Sequence, residues 1–386
     1  MVVDVFVERC ESYQKEVVDK AVDTILSRIK LKLRAKPKIL LKPNLLLPTS
    51  PKRAVTTHPA VVASVCKHLR KRFPDAKIFL GESSGCGGLP HTKLALEVCG
   101  INKAIKQHNI TILPFESQPL VRVDISNGVV WKHLMLPKIV VEADLIVNLP
   151  KLKTHSLTMF TGAVKNLYGC LPGGAKAKGH LKAVNTRMFG ELLIDIYSAI
   201  KPGLNLMDGV WGMEGQGPVT GPPKRTGYLL ASTDAVALDA VALKLIGIKE
   251  PHVPTQVSAK RRGLYPKYRV IGNYTVVKYK QPSMLKLRLL NIMPQAIADR
   301  ITKFVSPLPV NYPHIIPALC KKCYTCVRVC PVNAIHLKGN TLTIDYKKCI
   351  NCLCCSENCM YNAIKLKQGW VFRGINSFKR LLRWFR

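Results

Sequence analysis

Acidic side chains are scarce in this chain. Asp and Glu total 23 against 59 Lys and Arg, a formal net charge of +36 over 386 residues. Such a deficit suits an anionic partner (nucleic acid, an anionic membrane surface or an acidic protein) and says nothing about fold. Long apolar runs are missing too: no stretch approaches the ~18 uncharged residues of a membrane-spanning helix. The N-terminus, Met1-Val-Val-Asp-Val-Phe-Val-Glu-Arg9, lacks the basic and long apolar regions of a signal peptide. Neither Gly-x4-Gly-Lys-Ser/Thr nor Gly-x-Gly-x-x-Gly follows an expected strand, so nucleotide binding has no support. Without a zinc-finger or RNA-recognition signature, nucleic acid ranks last among the anionic partners. Low hydrophobicity, which disorder throughout would require, is also absent, because 47% of the residues are hydrophobic.

Cysteine, by contrast, is abundant. Of fourteen cysteines, nine lie between Cys320 and Cys359, while Cys10, Cys66, Cys86, Cys99 and Cys170 are scattered. In a chain this long with no secretion signal, clustered cysteines are expected to bind metal in a reducing cytoplasm. Cys320-x2-Cys323-x2-Cys326-x3-Cys330-Pro331 is one run, and Cys349-x2-Cys352-x2-Cys355-x3-Cys359 is a second. The flanks repeat as well, Asn333-Ala-Ile335 matching Asn362-Ala-Ile364, which implies two equivalent half-units. Three thiolates on one tight loop can face three corners of an iron–sulfur cube, and in two-cluster ferredoxins the fourth comes from the other run. Two [4Fe-4S] clusters are therefore expected, one on Cys320, Cys323, Cys326 and Cys359, the other on Cys349, Cys352, Cys355 and Cys330. Structural zinc is the competing reading, but zinc sites use pairs of Cys-x2-Cys separated by longer loops. The segment Ile315–Gly369 resembles bacterial-type ferredoxins carrying two [4Fe-4S] clusters. It departs from them at Met360, where the first run has Pro331, and at Cys354, a ninth cysteine read as a packed thiol.

The preceding residues alternate in period. Apolar spacing predicts helices over Glu11–Leu33, Pro59–Phe73 and Asp234–Ile246. Short apolar runs predict strands at Lys38–Leu41, Lys77–Leu80, Asp144–Asn148, Leu204–Met207 and Tyr228–Ala231. Asn127-Gly128 predicts a hairpin between Val121–Ile125 and Val129–Trp131. The expected architecture is an α/β domain with a mostly parallel sheet over 1–280, then a basic amphipathic connector over 281–314. A small α+β ferredoxin-like two-cluster iron–sulfur domain follows over 315–369, and a basic amphipathic tail over 370–386.

Polar loops follow the expected strands: Lys42-Pro-Asn44, Gly81-Glu-Ser-Ser-Gly85, Asn148-Leu-Pro-Lys-Leu-Lys-Thr-His155 and Asp208-Gly-Val-Trp-Gly-Met-Glu-Gly215. In open α/β sheets, ligands bind outside the carboxyl ends of strands, so these loops are expected to converge on one crevice. Lys42, His58, Glu82, Lys153, His155 and Asp208 are the candidate catalytic residues. Asn44, Lys151, Lys165 and Asn166 are the candidate binding residues, with Asn148, His180 and Glu214 nearby in the motifs. Lysines would hold an anionic substrate while histidines or carboxylates move protons. A single lysine after a strand is more often a solvated loop residue, and Glu82 or Asp208 could instead cap helices.

These loops, with Thr56-Thr-His-Pro59, Val164-Lys-Asn-Leu-Tyr-Gly169, Gln216-Gly-Pro218 and Asp234-Ala-Val-Ala-Leu-Asp239, resemble domain-of-unknown-function family 362 over roughly residues 1–275. The family is often described as iron–sulfur centre proteins, and members often carry an appended ferredoxin module. The resemblance implies one shared site for the loops and names no reaction.

Together these features predict an iron–sulfur redox protein. Single electrons would pass through two clusters to a substrate or cofactor in the α/β domain. The alternative is an electron carrier or assembly factor without its own substrate. The basic excess is concentrated: 251–319 holds eleven Lys or Arg and one acid, and 370–386 holds five and none. The expected partners are therefore an acidic redox protein, a small-molecule substrate and, through an amphipathic helix at 370–386, either an anionic membrane surface or the protein's own surface. The expected location is cytoplasmic, at the inner face of a membrane.

Overall fold

The computed structural model describes residues 2–85, 87–183, 185–282 and 311–368. Cys86, the amphipathic stretch Met284–Val305 and the tail Trp370–Arg386 lie outside the described residues. In chain order the strands of the first part are β1 (Val3–Arg9), β2 (Lys38–Pro43), β3 (Lys77–Glu82), β4 (Thr111–Pro114), β5 (Leu120–Asp124) and β6 (His133–Pro137). They continue with β7 (Leu145–Leu149), β8 (Lys151–His155), β9 (Met159–Thr161), β10 (Leu204–Met213), β11 (Pro223–Ser232) and β12 (Tyr268–Ile271). The main sheet runs β12-β1-β11-β10-β7-β2-β3-β4, with β8 beside β10 and β9 beside β8. Most pairings are parallel; β11 runs antiparallel to both of its neighbours, and β8 to β9.

Alternation along a strand puts neighbouring side chains on opposite faces. Ile39 and Leu41 belong to one apolar core and Leu40 to the other. The first core takes Val18, Val22 and Ile25 from the helix Lys15–Leu26, and Val61, Val65 and Leu69 from the helix Pro59–Arg72. The second takes Leu192 and Ile196 from the helix Thr186–Ile200, and Val236 and Leu243 from the helix Ala235–Leu245. A sheet covered on both faces explains why its strands read as continuous apolar runs.

Three local expectations change. The polar segments expected as loops are in part strand, Lys151–His155 forming β8 and Asp208–Met213 continuing β10, because both pair within the main sheet. The helix expected over Glu11–Leu33 spans Lys15–Leu26, because Arg72 Nη1 donates to the carbonyls of Leu26 (2.9 Å) and Ile29 (3.0 Å) and turns the chain there. The second strand of the hairpin begins at His133 rather than Val129. Buried Asp195 accepts from the backbone N–H groups of Val129, Val130 and Trp131 and draws that segment away from the ladder.

The ferredoxin-like part has strands β13 (Asn311–Ile315), β14 (Ile335–Lys338), β15 (Thr341–Ile344) and β16 (Ile364–Gln368). β13 pairs with β16 and β14 with β15, both antiparallel, placing Ile315 opposite Ile364 and Ile335 opposite Ile344. The internal repeat extends to the backbone: Lys322 and Asn351, Tyr324 and Leu353, and Asn333 and Asn362 are matched residues with positive φ. For Tyr324 and Leu353 this conformation costs roughly 1–2 kcal/mol each, which a group wrapped by the two loops would offset. Among the described residues no helix is long and apolar enough to cross a membrane.

Candidate functional site

The cysteines of the C-terminal part line two cavities. One is bounded by Cys320, Cys323, Cys326 and Cys359 with Ile315 and Leu342. The other is bounded by Cys330, Cys349, Cys352 and Cys355 with Ile335 and Ile344. Each draws three cysteines from one run and the fourth from the other. Among the described residues no group of three or more His, Cys, Asp or Glu converges on a single-ion site. The fourth cysteines are tied alike: the Ala334 N–H donates to Cys330 Sγ (3.2 Å) and the Ala363 N–H to Cys359 Sγ (3.3 Å). Burial, and then the neighbouring cysteines, push the Cys326 thiol up to about 11 and the Cys355 thiol up as well. A metal bound by these sulfurs would oppose that rise, since it favours the thiolate. Four sulfurs, apolar walls and N–H donors to sulfur fit a [4Fe-4S] cluster. Cys354 lines neither of these cavities.

A third cavity, of about 70 Å³, lies where the two parts of the molecule meet. Lys42 and Glu82, at the ends of β2 and β3, supply one wall, and Lys153 of β8 another. Lys165, Asn166 and Tyr168 enter from the segment after β9. Cys354, Glu357 and Asn358 close it from the ferredoxin side. Lys42 Nζ meets Glu82 Oε2 at 2.5 Å, both fully buried. Burial raises the Glu82 carboxyl, and Lys42 opposes that. Lys153 donates to Asn44 Oδ1 (2.7 Å) and the Val55 carbonyl (2.6 Å). Burial, then Lys165, hold its ammonium well below the usual range.

Asn44 and Asn166, which line the cavity, belong to a chain of asparagine hydrogen bonds. Asn148 Nδ2 donates to Asn205 Oδ1, Asn166 Nδ2 to Asn148 Oδ1, and Asn44 Nδ2 to Asn166 Oδ1. The last of these leaves Asn44 Oδ1 aimed at Lys153. His155 is buried with Nδ1 accepting from the Leu157 N–H (3.0 Å), so the hydrogen-bond network assigns its proton to Nε2. Nε2 lies 3.3 Å from Glu357 Oε1, a charge contact without good hydrogen-bond alignment. Burial, then Lys165, bring His155 down to about 4. Burial alone would raise Glu357, but His155, Lys165 and His180 bring it to about 2.

Gly169 shows how tightly the wall is packed. A Cβ there would lie 2.1 Å from Glu82 Oε1 and 2.7 Å from Lys42 Nζ. Gly169→Ala must displace a buried ion pair and is expected to destabilise the protein by about 1–3 kcal/mol. Thermal unfolding checks this; an unshifted midpoint would contradict the packing.

Lys151, His58 and Asp208 are not brought to this cavity. They form a separate buried network in which Asp208 accepts from Lys151 Nζ (2.8 Å), the Tyr13 hydroxyl (2.8 Å) and the His58 N–H (2.8 Å). His58 also N-caps the helix Pro59–Arg72, and its ring stacks on Tyr13 at 3.5 Å. Glu214 is spent on the Lys280 N–H. Sequence reasoning missed Thr161, Lys176, Glu357 and Asn358 as wall residues. The Gly173-Gly174 turn before Lys176, and a lone acid between two cluster cysteines, were the available signals.

The family model described as Domain of unknown function (DUF362) matches residues 39–244. A second, described as 4Fe-4S binding domain, matches 313–336. A thylakoid-associated protein of Synechocystis is 36% identical over 230 residues, covering 59% of this chain and 69% of its own. The lactate racemase apoprotein of Thermoanaerobacterium thermosaccharolyticum matches with 16% identity and a TM-score of 0.37. That match covers 53% of this chain and 50% of the racemase, so the chain spans about half of that protein.

Proposed function

The chain belongs to the DUF362 family and carries a 4Fe-4S binding domain with an electron-transfer role, and on that premise we propose a redox enzyme that delivers single electrons to a small molecule in the cavity between its two parts. Two [4Fe-4S] clusters, one on Cys320, Cys323, Cys326 and Cys359 and one on Cys330, Cys349, Cys352 and Cys355, would supply those electrons. The observation that carries this reading is the shared wall. Cys354, Glu357 and Asn358 line the cavity, and each is next to, or two residues from, a cluster cysteine. Around the cavity Lys42 and Lys153 supply positive charge, the asparagine chain holds Lys153 in place, and His155 keeps its proton at Nε2 facing Glu357. The basic residues of 370–386 would rest on an anionic membrane surface, which suits the thylakoid association of the relative.

The test separates docking from cluster loading. Gly85 has φ +51°, and a Cβ there would lie 2.3 Å from Asn358 Oδ1. Gly85→Val is expected to push the ferredoxin part off the cavity with its iron intact. Reduced holoprotein is mixed anaerobically with fractions of small metabolites, and reoxidation is followed by visible absorbance. The active fraction should reoxidise the variant tenfold to a hundredfold more slowly, on the order expected for a misplaced reacting group. Reoxidation by ferricyanide should not change. If no fraction accelerates reoxidation of the wild type, the carrier reading replaces this one.

A further inference from the structure

Resting on the reading of this cavity as a substrate site, we infer that its ligand is a small oxyanion of about five heavy atoms, seated on the Lys165 ammonium and the Thr161 hydroxyl against the ferredoxin part. Charge gives the sign. Lys42, Lys153, Lys165 and Lys176 line the cavity, against the carboxylates of Glu82 and Glu357. Lys42 is paired with Glu82, Lys153 is held by Asn44 and Val55, and Lys176 donates to Ser83 Oγ (3.0 Å) and the Gly85 carbonyl (2.8 Å).

Lys165 stands apart from these three. Among the described residues its ammonium has no hydrogen bond or ion pair; the charges acting on it are Glu357 and the Cys354 thiol. Glu357 is already shared with His155 and His180. Lys165 is half-buried; desolvation lowers its ammonium, Glu357 and Cys354 oppose that, and an anion bound on the cavity would oppose it further. Thr161 adds a second, independent sign. Its hydroxyl oxygen is buried on the same cavity and has no hydrogen-bond partner among the described residues. A buried hydroxyl without a partner is costly, and one oxyanion on this cavity that accepts from the Thr161 hydroxyl and the Lys165 ammonium would satisfy both.

Volume gives the size. One water needs roughly 10–15 Å³ of such space, so a cavity of about 70 Å³ holds about five heavy atoms. That space suits an inorganic oxyanion or a short carboxylate.

Acetate, bicarbonate and inorganic phosphate serve as probes, each titrated calorimetrically into anaerobic holoprotein of measured iron content. At least one is expected to bind saturably at one site per chain. Lys165→Gln should weaken that binding about tenfold or more, the scale of one lost hydrogen bond to a charged group. Thr161→Val should weaken it severalfold, and Lys103→Gln, on an exposed helix, should bind as the wild type does. The seat is overturned if none of the three binds saturably. It is equally overturned if Lys165→Gln and Thr161→Val, with full iron, bind as tightly as the wild type. An oxyanion that binds while no metabolite fraction speeds reoxidation sinks the electron-delivery reading and leaves the seat standing. A metabolite that reoxidises the clusters without competing with the bound oxyanion leaves electron delivery standing and overturns the claim that the oxyanion occupies its substrate site.

Discussion

Cys355→Ser is expected to lower iron from about eight to about four per chain, since each proposed cluster contributes four irons. Cys355 is the most enclosed cysteine of its cavity, and its neighbours there are Cys330, Cys349 and Cys352. The variant removes one sulfur of that set and leaves Cys320, Cys323, Cys326 and Cys359 complete. Cys354 is adjacent in sequence but does not line the cysteine cavity; it faces the α/β domain instead. Its side chain nevertheless lies within hydrogen-bond reach of Cys352, so Cys354→Ser/Cys355→Ser, which removes the adjacent thiol as well, should lose at least as much iron as the single variant. Iron, acid-labile sulfide and zinc per chain, with electron paramagnetic resonance of the reduced protein, are the measurements. Zinc in the wild type, or a single variant still holding about eight irons, would end the two-cluster assignment. Stability should fall as well. The apolar core of this part is small, with Ile315, Ile335, Leu342, Ala363 and Ile364 as its buried aliphatic residues beside the cysteines, and cores of that size depend on a bound group.

Asp208→Ala is expected to cost about 3–5 kcal/mol of stability, the scale for stranding a buried charge. Its carboxylate is fully buried and is the acceptor for Lys151, Tyr13 and the His58 N–H. Removing it leaves the Lys151 ammonium, itself 1% exposed, with the Tyr13 hydroxyl alone. The unfolding temperature should drop on the order of 10 °C. Lys151→Met/Asp208→Leu, which removes both charges, should recover a large part of the loss. A catalytic Asp208 would behave otherwise: Asp208→Ala would unfold at the wild-type temperature and lose only substrate-dependent reoxidation.

Much of the fold was legible because its signals are local. Ile39, Leu40 and Leu41 form an uninterrupted apolar run, which a strand covered on both faces requires. Pro59 opens a helix and Asp234 caps one, and both roles can be read from residue type and position. The hairpin turn at Asn127-Gly128 was legible, but not the start of its second strand. That start depends on Asp195, which lies far along the chain and reaches the hairpin only after folding. The Lys15–Leu26 helix likewise ends early through Arg72, on another helix.

For the site, the sequence by itself determined the cysteine spacing, the lysines after the strands and the likeness of the loops to one family. A thiolate loop around a cube and a polar residue at a strand end are short-range arrangements, set by the residues next to them. Only the tertiary structure decided which polar residues share a space. Lys151 and Lys153 alternate along β8 and so share a face, yet one serves the Asp208 network and the other the cavity. No local pattern separates them, because their partners, Asp208 and Asn44, come from different strand ends. The wall formed by Cys354, Glu357 and Asn358 is the clearest case. It exists because two parts of the chain far apart in sequence are packed against each other, and burial and the neighbouring charges there shift Lys153, His155 and Glu357 from their ordinary ranges.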